Sequence, residues 1–476
     1  MEGPAGWSIS SGLHALEPIA DARFTDCRKR PTRYLLRTES ANAPRGLSSL
    51  AIGRPVFPRK PVAGSPQSVV CSYNIGIEIR RGATLDLKQL EVTKASVLRP
   101  TQSGGDRDAG ARKVTRRRSL LPEQWETFKR AARREKMDKI PMALIIDSPW
   151  IPGYLGISHM DYFLDPELWF QSNLGIMREF PNIIFIPSWW MEYGMAAEPS
   201  VLGAKIKFWQ DNTPSEYHTL YHLEDMDNFP EYEVEADAFA ALTLHRIGMA
   251  RQRILDAGYI LPMVTSRGPL CTAGFVRGTT NFMIDLVENP EGAHKLIDLC
   301  TRVIIDWLKA QQKVMGDTVE SIFILDDIVG FVNEEHYLEF AHPYLKRICD
   351  AFPKDWVKLY HNDAEVDACL DHLPDTGFNV LNWGKQRHIT EVKRRVGDRM
   401  CLMGNVNPLE IAVRGTPEEV KDETLEVLEG SGGEGIILSV GGGVSPGMPR
   451  ANVLAMLEAL EEFNAKRSAI AGALSR

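Results

Sequence analysis

The chain has 476 residues, of which 44% are hydrophobic and 25% charged, with a formal net charge of −8. This is ordinary globular composition, and no apolar run approaches the roughly 18 residues of a membrane span. The seven cysteines are scattered without a CxxC pair, which argues against a disulfide framework or a zinc ribbon. The first residues do not read as a secretion signal, so we expect a soluble, cytoplasmic protein.

Charge divides the chain near residue 118. Residues 1–118 carry 21 Lys and Arg against 10 Asp and Glu, and they are rich in Pro, Ser and Gly with little helical periodicity. We expect these residues to form a disordered, solvated N-terminal extension. The alternatives are a basic arm that binds nucleic acid and a transit peptide for an organelle. The next methionine after Met1 is Met137, so residues before Val114 could also be upstream sequence read from a misplaced start.

From Leu120 onward, strand-like apolar runs alternate with amphipathic helical segments. Buried strands that alternate with helices indicate a parallel sheet, and eight such units predict an α/β (β/α)8 TIM-type barrel over residues 119–476. Residues 190–258 are too long for one crossover, which predicts extra helices inserted after the second strand. The eight strand-like runs are 141–147, 183–188, 259–265, 320–327, 357–363, 380–384, 400–406 and 435–441.

Polar residues follow several of these runs, at the strand ends where barrels of this type place their chemistry. His361, Asp326 and Asp327 are the candidate catalytic residues. The alternatives are structural: a satisfied buried histidine, an aspartate pair neutralised by Arg267, and tryptophans that belong to the core. The candidate substrate-binding residues are Asp147, Trp189, Trp190, Glu192, Arg267 and Asn405.

Residues 119–476 resemble the uroporphyrinogen decarboxylase superfamily. The resemblance rests on segments in the family's order, including "DDIVGFVNEEHYLEFAHPYLKRI", "YHNDAEVDACLDHLPDTGFNVLNW", "GNVNPLEIAVRGTPEEV" and "GIILSVGGGVSPGMPRANVLAMLEAL". The superfamily comprises haem-pathway decarboxylases and corrinoid-dependent methyltransferases.

Departures from the family's motifs point to the methyltransferase-like branch. The decarboxylases carry an Arg-rich "RQAGRY" motif after the first strand, whereas this chain has "DSPWIPGYLG", with Asp147 and no arginine. The thiol methyltransferases carry His-x-Cys and a later Cys that together ligate zinc. Here His361 is followed by Asp363, and Gly442 stands at the later position. The resemblance therefore implies either a harder metal site or no metal site.

The resemblance implies a methyltransferase that moves a methyl group between a small methylated compound and a corrinoid (cobalamin) carried by a partner protein. A divalent metal such as zinc would be bound by His361 and Asp363, with Asp326 or Asp327 as a further ligand. The glycines Gly441, Gly442 and Gly443 would let a bulky cofactor approach the backbone, or they simply form a tight turn.

Two other functions stay open. In a decarboxylase acting on a smaller carboxylated substrate, Asp326 or Asp327 would be the acid, and Arg267 or Arg277 would hold the carboxylate. The other function is that of a non-catalytic protein that binds a corrinoid or tetrapyrrole, with the same barrel but without enzymatic activity.

We predict that residues 1–113 can be deleted without loss of the fold, because they lack a hydrophobic pattern that a barrel would need. A truncated chain that starts at Val114 should melt cooperatively at nearly the same temperature as the full chain. A large drop in melting temperature would show that the extension packs on the rest of the protein.

Overall fold

The computed structural model describes residues 122–146, 149–229 and 231–474, so the predicted N-terminal extension lies outside the described residues. All eight predicted strands are present, and they run parallel to one another within their sheets. They are β1 (Ala143–Ile145), β2 (Ile184–Ile186), β5 (Met263–Arg267), β6 (Ser321–Leu325), β7 (Val357–Asn362), β8 (Val380–Trp383), β9 (Cys401–Val406) and β10 (Ile436–Val440).

The strands lie side by side in a barrel-like order. Strands β5 to β10 form one sheet in chain order, β1 pairs with β2, and a bridge between Met142 and Leu438 places β1 beside β10. Within the described residues no backbone ladder joins β2 to β5. The α/β architecture with a parallel sheet is confirmed, while the closed barrel stays a prediction.

Side chains approach each other where the ladder is missing. Trp190, just beyond β2, packs against Phe323 of β6 with ring centroids 5.9 Å apart. The guanidinium of Arg267, at the end of β5, lies 5.4 Å from the centroid of the Trp190 ring. Trp190, which follows β2, therefore contacts side chains of both β5 and β6.

Every residue of the eight strands is buried, which explains their continuous apolar character. Helices follow or precede the strands along the chain. They are α1 (Pro122–Ala132), α2 (Ile151–Leu155), α3 (His159–Leu164), α4 (Pro166–Glu179), α5 (Ala197–Val201), α6 (Ala238–Asp256), α7 (Pro269–Arg277), α8 (Thr279–Glu288), α9 (Pro290–Met315), α10 (Glu334–His336), α11 (His342–Asp350), α12 (Ile389–Val396), α13 (Pro417–Gly430) and α14 (Arg450–Leu474).

Local sequence signals set several helix starts. Thr416 accepts a hydrogen bond from the backbone N–H of Glu419, whose side chain in turn accepts from the Thr416 N–H. Asn289 caps α9 in front of Pro290, whose missing N–H costs nothing at a first helical position. These helices begin where capping residues and prolines stand in the sequence.

The segment after β2 contains two helices, the short α5 and the long α6, together with a hairpin that was not predicted. The hairpin is antiparallel and consists of β3 (Lys205–Lys207) and β4 (Ser215–Tyr217), and a 3-10 turn at Leu223–Asn228 follows it. The hairpin forms because the turn-rich residues 210–214 ("QDNTP") separate two short alternating segments. Sequence periodicity over three residues is too short to reveal such strands.

Arg246 of α6 anchors this segment from within the core. Its guanidinium donates hydrogen bonds to the backbone carbonyls of Phe163 (2.9 Å) and Met191 (3.4 Å). It also lies over the rings of Trp169 and Tyr193, at 5.0 and 4.8 Å from their centroids. A single buried cation thus joins three segments around the loop that follows β2.

Among the residues that the structure describes, no helix is long and apolar enough to cross a membrane. The five described cysteines are free thiols and buried. These thiols have no disulfide partner in the part of the chain that the structure describes.

Candidate functional site

His361 is buried near the carboxyl end of β7, and both ring nitrogens face polar groups. Its Nδ1 lies 2.7 Å from Oδ1 of Asn382 on the neighbouring strand β8. Its Nε2 faces two carboxylates, Asp363 Oδ2 at 3.6 Å and Asp327 Oδ1 at 3.9 Å. The structure therefore brings together three of the residues selected from the sequence.

The charges around His361 favour its protonated form. Burial lowers the pKa of His361, but the carboxylates of Asp363 and Asp327 and the hydrogen bond with Asn382 outweigh this effect and raise the pKa to about 9. The ring is then an imidazolium at neutral pH. Its Nε2–H is directed toward two carboxylates at the strand ends.

Asp327 and Asp363 are the accessible members of this group. Their side chains are 43% and 37% exposed, whereas that of His361 is 4% exposed. The backbone N–H of Asp363 donates to Asp327 Oδ1 at 2.7 Å, which ties the loop after β6 to the loop after β7. We call His361, Asp327 and Asp363 the acid triad.

Asp326 points elsewhere, although it is adjacent to Asp327. Its carboxylate accepts hydrogen bonds from the backbone N–H groups of Cys271 (2.7 Å) and Leu270 (3.3 Å) in the first turn of α7. Burial raises the pKa of Asp326 to about 7, against the opposing effect of these two donors. A methyl group at Gly268 would overlap this carboxylate. The geometry shows a helix cap, and a catalytic role for Asp326 stays a prediction.

Asn382 is a site residue that the sequence reasoning missed. It is fully buried in β8, where its Nδ2 donates to the carbonyls of Met403 in β9 (2.8 Å) and Val440 in β10 (3.3 Å). The available signal was an amide inside the apolar run "VLNW", because a buried amide must find partners for each donor and acceptor.

The glycine loop after β10 lies against the acid triad. Gly442 has a φ of +87°, and a methyl group there would overlap the carboxylate of Asp363. A methyl group at Gly441 would lie 3.1 Å from the carbonyl oxygen of Trp383, whereas Gly443 has room for one. Close packing inside the protein thus accounts for two of the three glycines, and their role toward a cofactor stays a prediction.

The tryptophan pair divides into one core residue and one residue near the charged groups. Trp189 stacks on Phe170 at 4.9 Å between centroids and contacts Tyr259 at 5.6 Å. The Nε1–H of Trp190 donates to Glu192 Oε2 at 3.1 Å, and its ring contacts Phe323 and the Arg267 guanidinium. The contacts of Trp189 are those of a core residue.

Glu192 and Arg267 belong to a buried charged cluster beside the acid triad. Glu198, which the sequence reasoning did not select, accepts hydrogen bonds from Ser266 Oγ (2.6 Å) and the Arg267 backbone N–H (2.7 Å). Burial, together with the negative charge of Glu198, raises the pKa of Glu192 to about 8, while Arg267 opposes the shift. Arg267 also acts electrostatically on Asp327, so it links the two groups.

The remaining candidates have other positions. The Nδ2 of Asn405 donates to the backbone carbonyls of Gly384 (3.2 Å) and Arg387 (2.9 Å), so its side chain holds the loop after β8. Asp147 lies outside the described residues. Substrate binding by these residues stays a prediction.

The donor set around His361 suits a divalent metal in kind, because it combines one imidazole nitrogen with carboxylate oxygens. Within residues 122–146, 149–229 and 231–474, however, no group of three or more His, Cys, Asp or Glu side chains is arranged to hold a metal ion. The predicted metal ligands His361 and Asp363 are neighbours, but the arrangement does not form a ready metal site.

Comparison with known proteins places the chain in a family. The family description "Uroporphyrinogen decarboxylase (URO-D)" matches residues 123–463, which span nearly all of the described residues. The chain belongs to the uroporphyrinogen decarboxylase family. The superfamily expected from the sequence motifs is therefore confirmed.

Individual relatives within the family are distant. The uroporphyrinogen decarboxylase of Methylococcus capsulatus is 23% identical over 71% of this chain and 97% of its own length. That of Chlorobaculum parvum is 29% identical over 38% of this chain, and the match spans about half of the relative, 52%. A methyltransferase from Methanosarcina mazei has a similar fold, with a TM-score of 0.61 and 21% identity, over 71% of this chain and 97% of the other.

Because Asp326 accepts hydrogen bonds from the first turn of α7, we expect its carboxylate to stabilise the folded protein. We expect Asp326→Ala to lower the free energy of unfolding by about 2–4 kcal/mol, because two buried backbone N–H groups lose their acceptor. Asp165→Ala is the matched control. Its carboxylate also accepts from two backbone N–H groups, at the start of α4, but it is exposed, so its loss should cost about 1 kcal/mol. Urea denaturation measures both, and equal losses would contradict the larger contribution of the buried carboxylate.

Because the pKa of His361 is raised in the folded protein, we expect the free energy of unfolding to depend on pH. The native ring keeps its proton up to about pH 9, whereas the unfolded ring has the usual pKa of 6.5. Its stabilising effect is therefore complete below pH 6.5 and is lost as the pH rises through 9. Between these values the wild type should lose up to about 1.4 kcal/mol of unfolding free energy per pH unit more than His361→Gln. Parallel stability curves for the two proteins would show that the ring is not held in its charged form.

Proposed function

We propose that this protein is a methyltransferase that moves a methyl group between a small methylated compound and a corrinoid carried by a partner protein. The observation that carries the proposal is the acid triad, in which a protonated His361 presents Nε2 to two accessible carboxylates at the strand ends. The fold is compatible with this activity, because the Methanosarcina mazei protein that shares it is a methyltransferase.

The acid triad supplies the proton that such a transfer needs. The corrinoid is a second substrate, whose reduced cobalt takes the methyl group with its own electron pair. As the bond between the methyl carbon and the donor's oxygen or nitrogen breaks, that heteroatom takes the proton from His361 Nε2. The ring becomes neutral and regains a proton from water. Asp327 and Asp363 favour the protonated ring between turnovers.

The charges near the triad favour a neutral methyl donor over an anionic one, and a neutral donor is also the kind whose leaving group needs the proton. Asp327 and Asp363 are accessible carboxylates, while Arg267 is buried and acts on Glu192 and Asp327. In the segment "DSPWIPGYLG", where the family's decarboxylases carry arginines, Trp150 is buried and its Nε1–H donates to the Met448 carbonyl at 3.0 Å. Each missing charge-assisted contact to a substrate carboxylate forfeits about 1.5–3 kcal/mol, so a polyanionic tetrapyrrole should bind poorly.

A metal remains a separate hypothesis. His361 and Asp363 are its proposed ligands, with Asp327 as the further carboxylate, since Asp326 is directed into α7. Because the triad does not form a ready metal site, the proton transfer is derived from the protein's own groups.

A decarboxylase is the second candidate, and the electrostatic link between Arg267 and Asp327 favours it. Asp327 would protonate the carbanion left after carbon dioxide departs, and Arg267 would hold the substrate's carboxylate. Arg277 is less suited, because it pairs with Asp285 at 2.6 Å and donates to the Tyr221 carbonyl. A binding protein without catalysis is the third candidate.

The test uses purified full-length protein with cob(I)alamin and two probes, a small methyl ether and a methylamine. Formation of methylcobalamin, followed by its visible absorption, is expected with at least one probe. His361→Ala should abolish the transfer without changing the far-UV spectrum. Asn464→Ala should retain it, because this buried asparagine of α14 hydrogen-bonds with the backbone of Ile140, ahead of β1, and is not among the candidate site residues. Metal analysis of both proteins decides whether metal content falls together with activity.

Each contrary outcome removes one part of the proposal. Full activity of His361→Ala would remove His361 as the proton donor, and an active, metal-free wild type would remove the metal hypothesis. Carbon dioxide release from small carboxylic acids, or coproporphyrinogen from uroporphyrinogen, would establish the decarboxylase instead. Tight cobalamin binding without turnover of any probe would favour the third candidate.

A further inference from the structure

The Asn382 amide has a single possible orientation. Its two Nδ2 hydrogens are taken by the carbonyl oxygens of Met403 (2.8 Å) and Val440 (3.3 Å) on two different strands. A flipped amide would place its oxygen against both carbonyl oxygens, which is electrostatically unfavourable in a fully buried position. The amide oxygen must therefore face His361.

An amide oxygen can only accept a hydrogen bond. Because Asn382 Oδ1 lies 2.7 Å from His361 Nδ1, that ring nitrogen has to carry the hydrogen. The same hydrogen bond sets the plane of the ring and directs Nε2 toward Asp327 and Asp363. The Nδ1–H form is the minor tautomer of a free, neutral histidine side chain in water, so the protein has to impose it.

We infer that Asn382 is a positioning residue that locks His361 in the Nδ1–H tautomer and leaves Nε2 as the one ring nitrogen that exchanges a proton or binds a ligand. As a statement about catalysis this rests on the proposed function, whereas the tautomer can be measured without any substrate.

The interstrand contacts explain why the lock is rigid. Asn382 contacts β7 through its oxygen, and β9 and β10 through its nitrogen, so a rotation of the amide would break hydrogen bonds on three strands at once. Backbone pairing adds a second restraint, because Asn382 is the register partner of both His361 and Met403.

The experiment is long-range proton–nitrogen NMR of the full chain labelled with nitrogen-15 histidine, recorded with the His361 ring neutral. The His361 signals are assigned by their loss in His361→Gln. The wild type should show the Nδ1–H pattern. Asn382→Leu should move the ring toward the Nε2–H pattern, and Asn405→Leu, a buried asparagine in β9 that does not contact His361, should leave it unchanged.

Asn382→Asp is the conservative variant. It keeps an acceptor at Nδ1 but loses both donors to the neighbouring carbonyls, so it should retain the Nδ1–H pattern even if its stability falls. In the methyl-transfer assay we expect Asn382→Leu to lose about ten- to a hundredfold in rate, as removal of a residue that orients a reactive histidine typically does.

An Nε2–H pattern in the wild type would overturn the inference, and this spectrum decides it even if Asn382→Leu does not fold. An unchanged pattern in folded Asn382→Leu would also overturn it, since another group would then set the tautomer. If the wild type shows the Nδ1–H pattern but transfers no methyl group, the inference stands and the proposed function fails.

Discussion

The register of three parallel strands is the constraint on which the site depends. Pairing of β6, β7 and β8 places Leu325 opposite His361 and His361 opposite Asn382. Because strand side chains alternate between two faces, a slip of one residue in β8 would turn Asn382 away from the ring and bring an apolar side chain in its place. The acid triad, the helix cap and the glycine loop all depend on where these strands end.

The strands could be predicted from the sequence because their signal is local. Runs such as "ESIFIL" and "VKLYHN" are continuous and apolar, and helices separate most of them, so their number and order follow from the sequence. The ends are less exact, because β5 begins four residues later and ends two residues later than the predicted run 259–265. The carboxyl ends of parallel strands share one side of the sheet, and this rule correctly grouped His361, Asp327 and Asp363.

The partners of individual side chains could not be predicted in the same way. Asp326 and Asp327 are adjacent and chemically identical, yet one enters the first turn of α7 and the other faces His361. The Asn382 amide is held by the carbonyls of Met403 and Val440, which lie 21 and 58 positions further along the chain. Such contacts depend on strand register and on the path of the helices that connect the strands. The periodicity of apolar residues in the sequence does not specify either.

Membership of the family and the chemistry of the site carry different information. The family match covers residues 123–463, and the two relatives compared above are uroporphyrinogen decarboxylases. In this chain the triad and the cluster around Glu192 and Glu198 are rich in carboxyl groups, on which the cations Arg267 and His361 act. A shared fold does not determine such a site, so the function has to be argued from these side chains.

The contact between Gly442 and Asp363 couples two positions far apart in the sequence. The bare backbone at 442 provides the space that the carboxylate at 363 occupies, and a side chain at 442 would displace that carboxylate. Among homologues with this fold, a side chain at the position of 442 should therefore be accompanied by a smaller residue at the position of 363. A new ligand set that includes a side chain at 442 would then require a second substitution at 363.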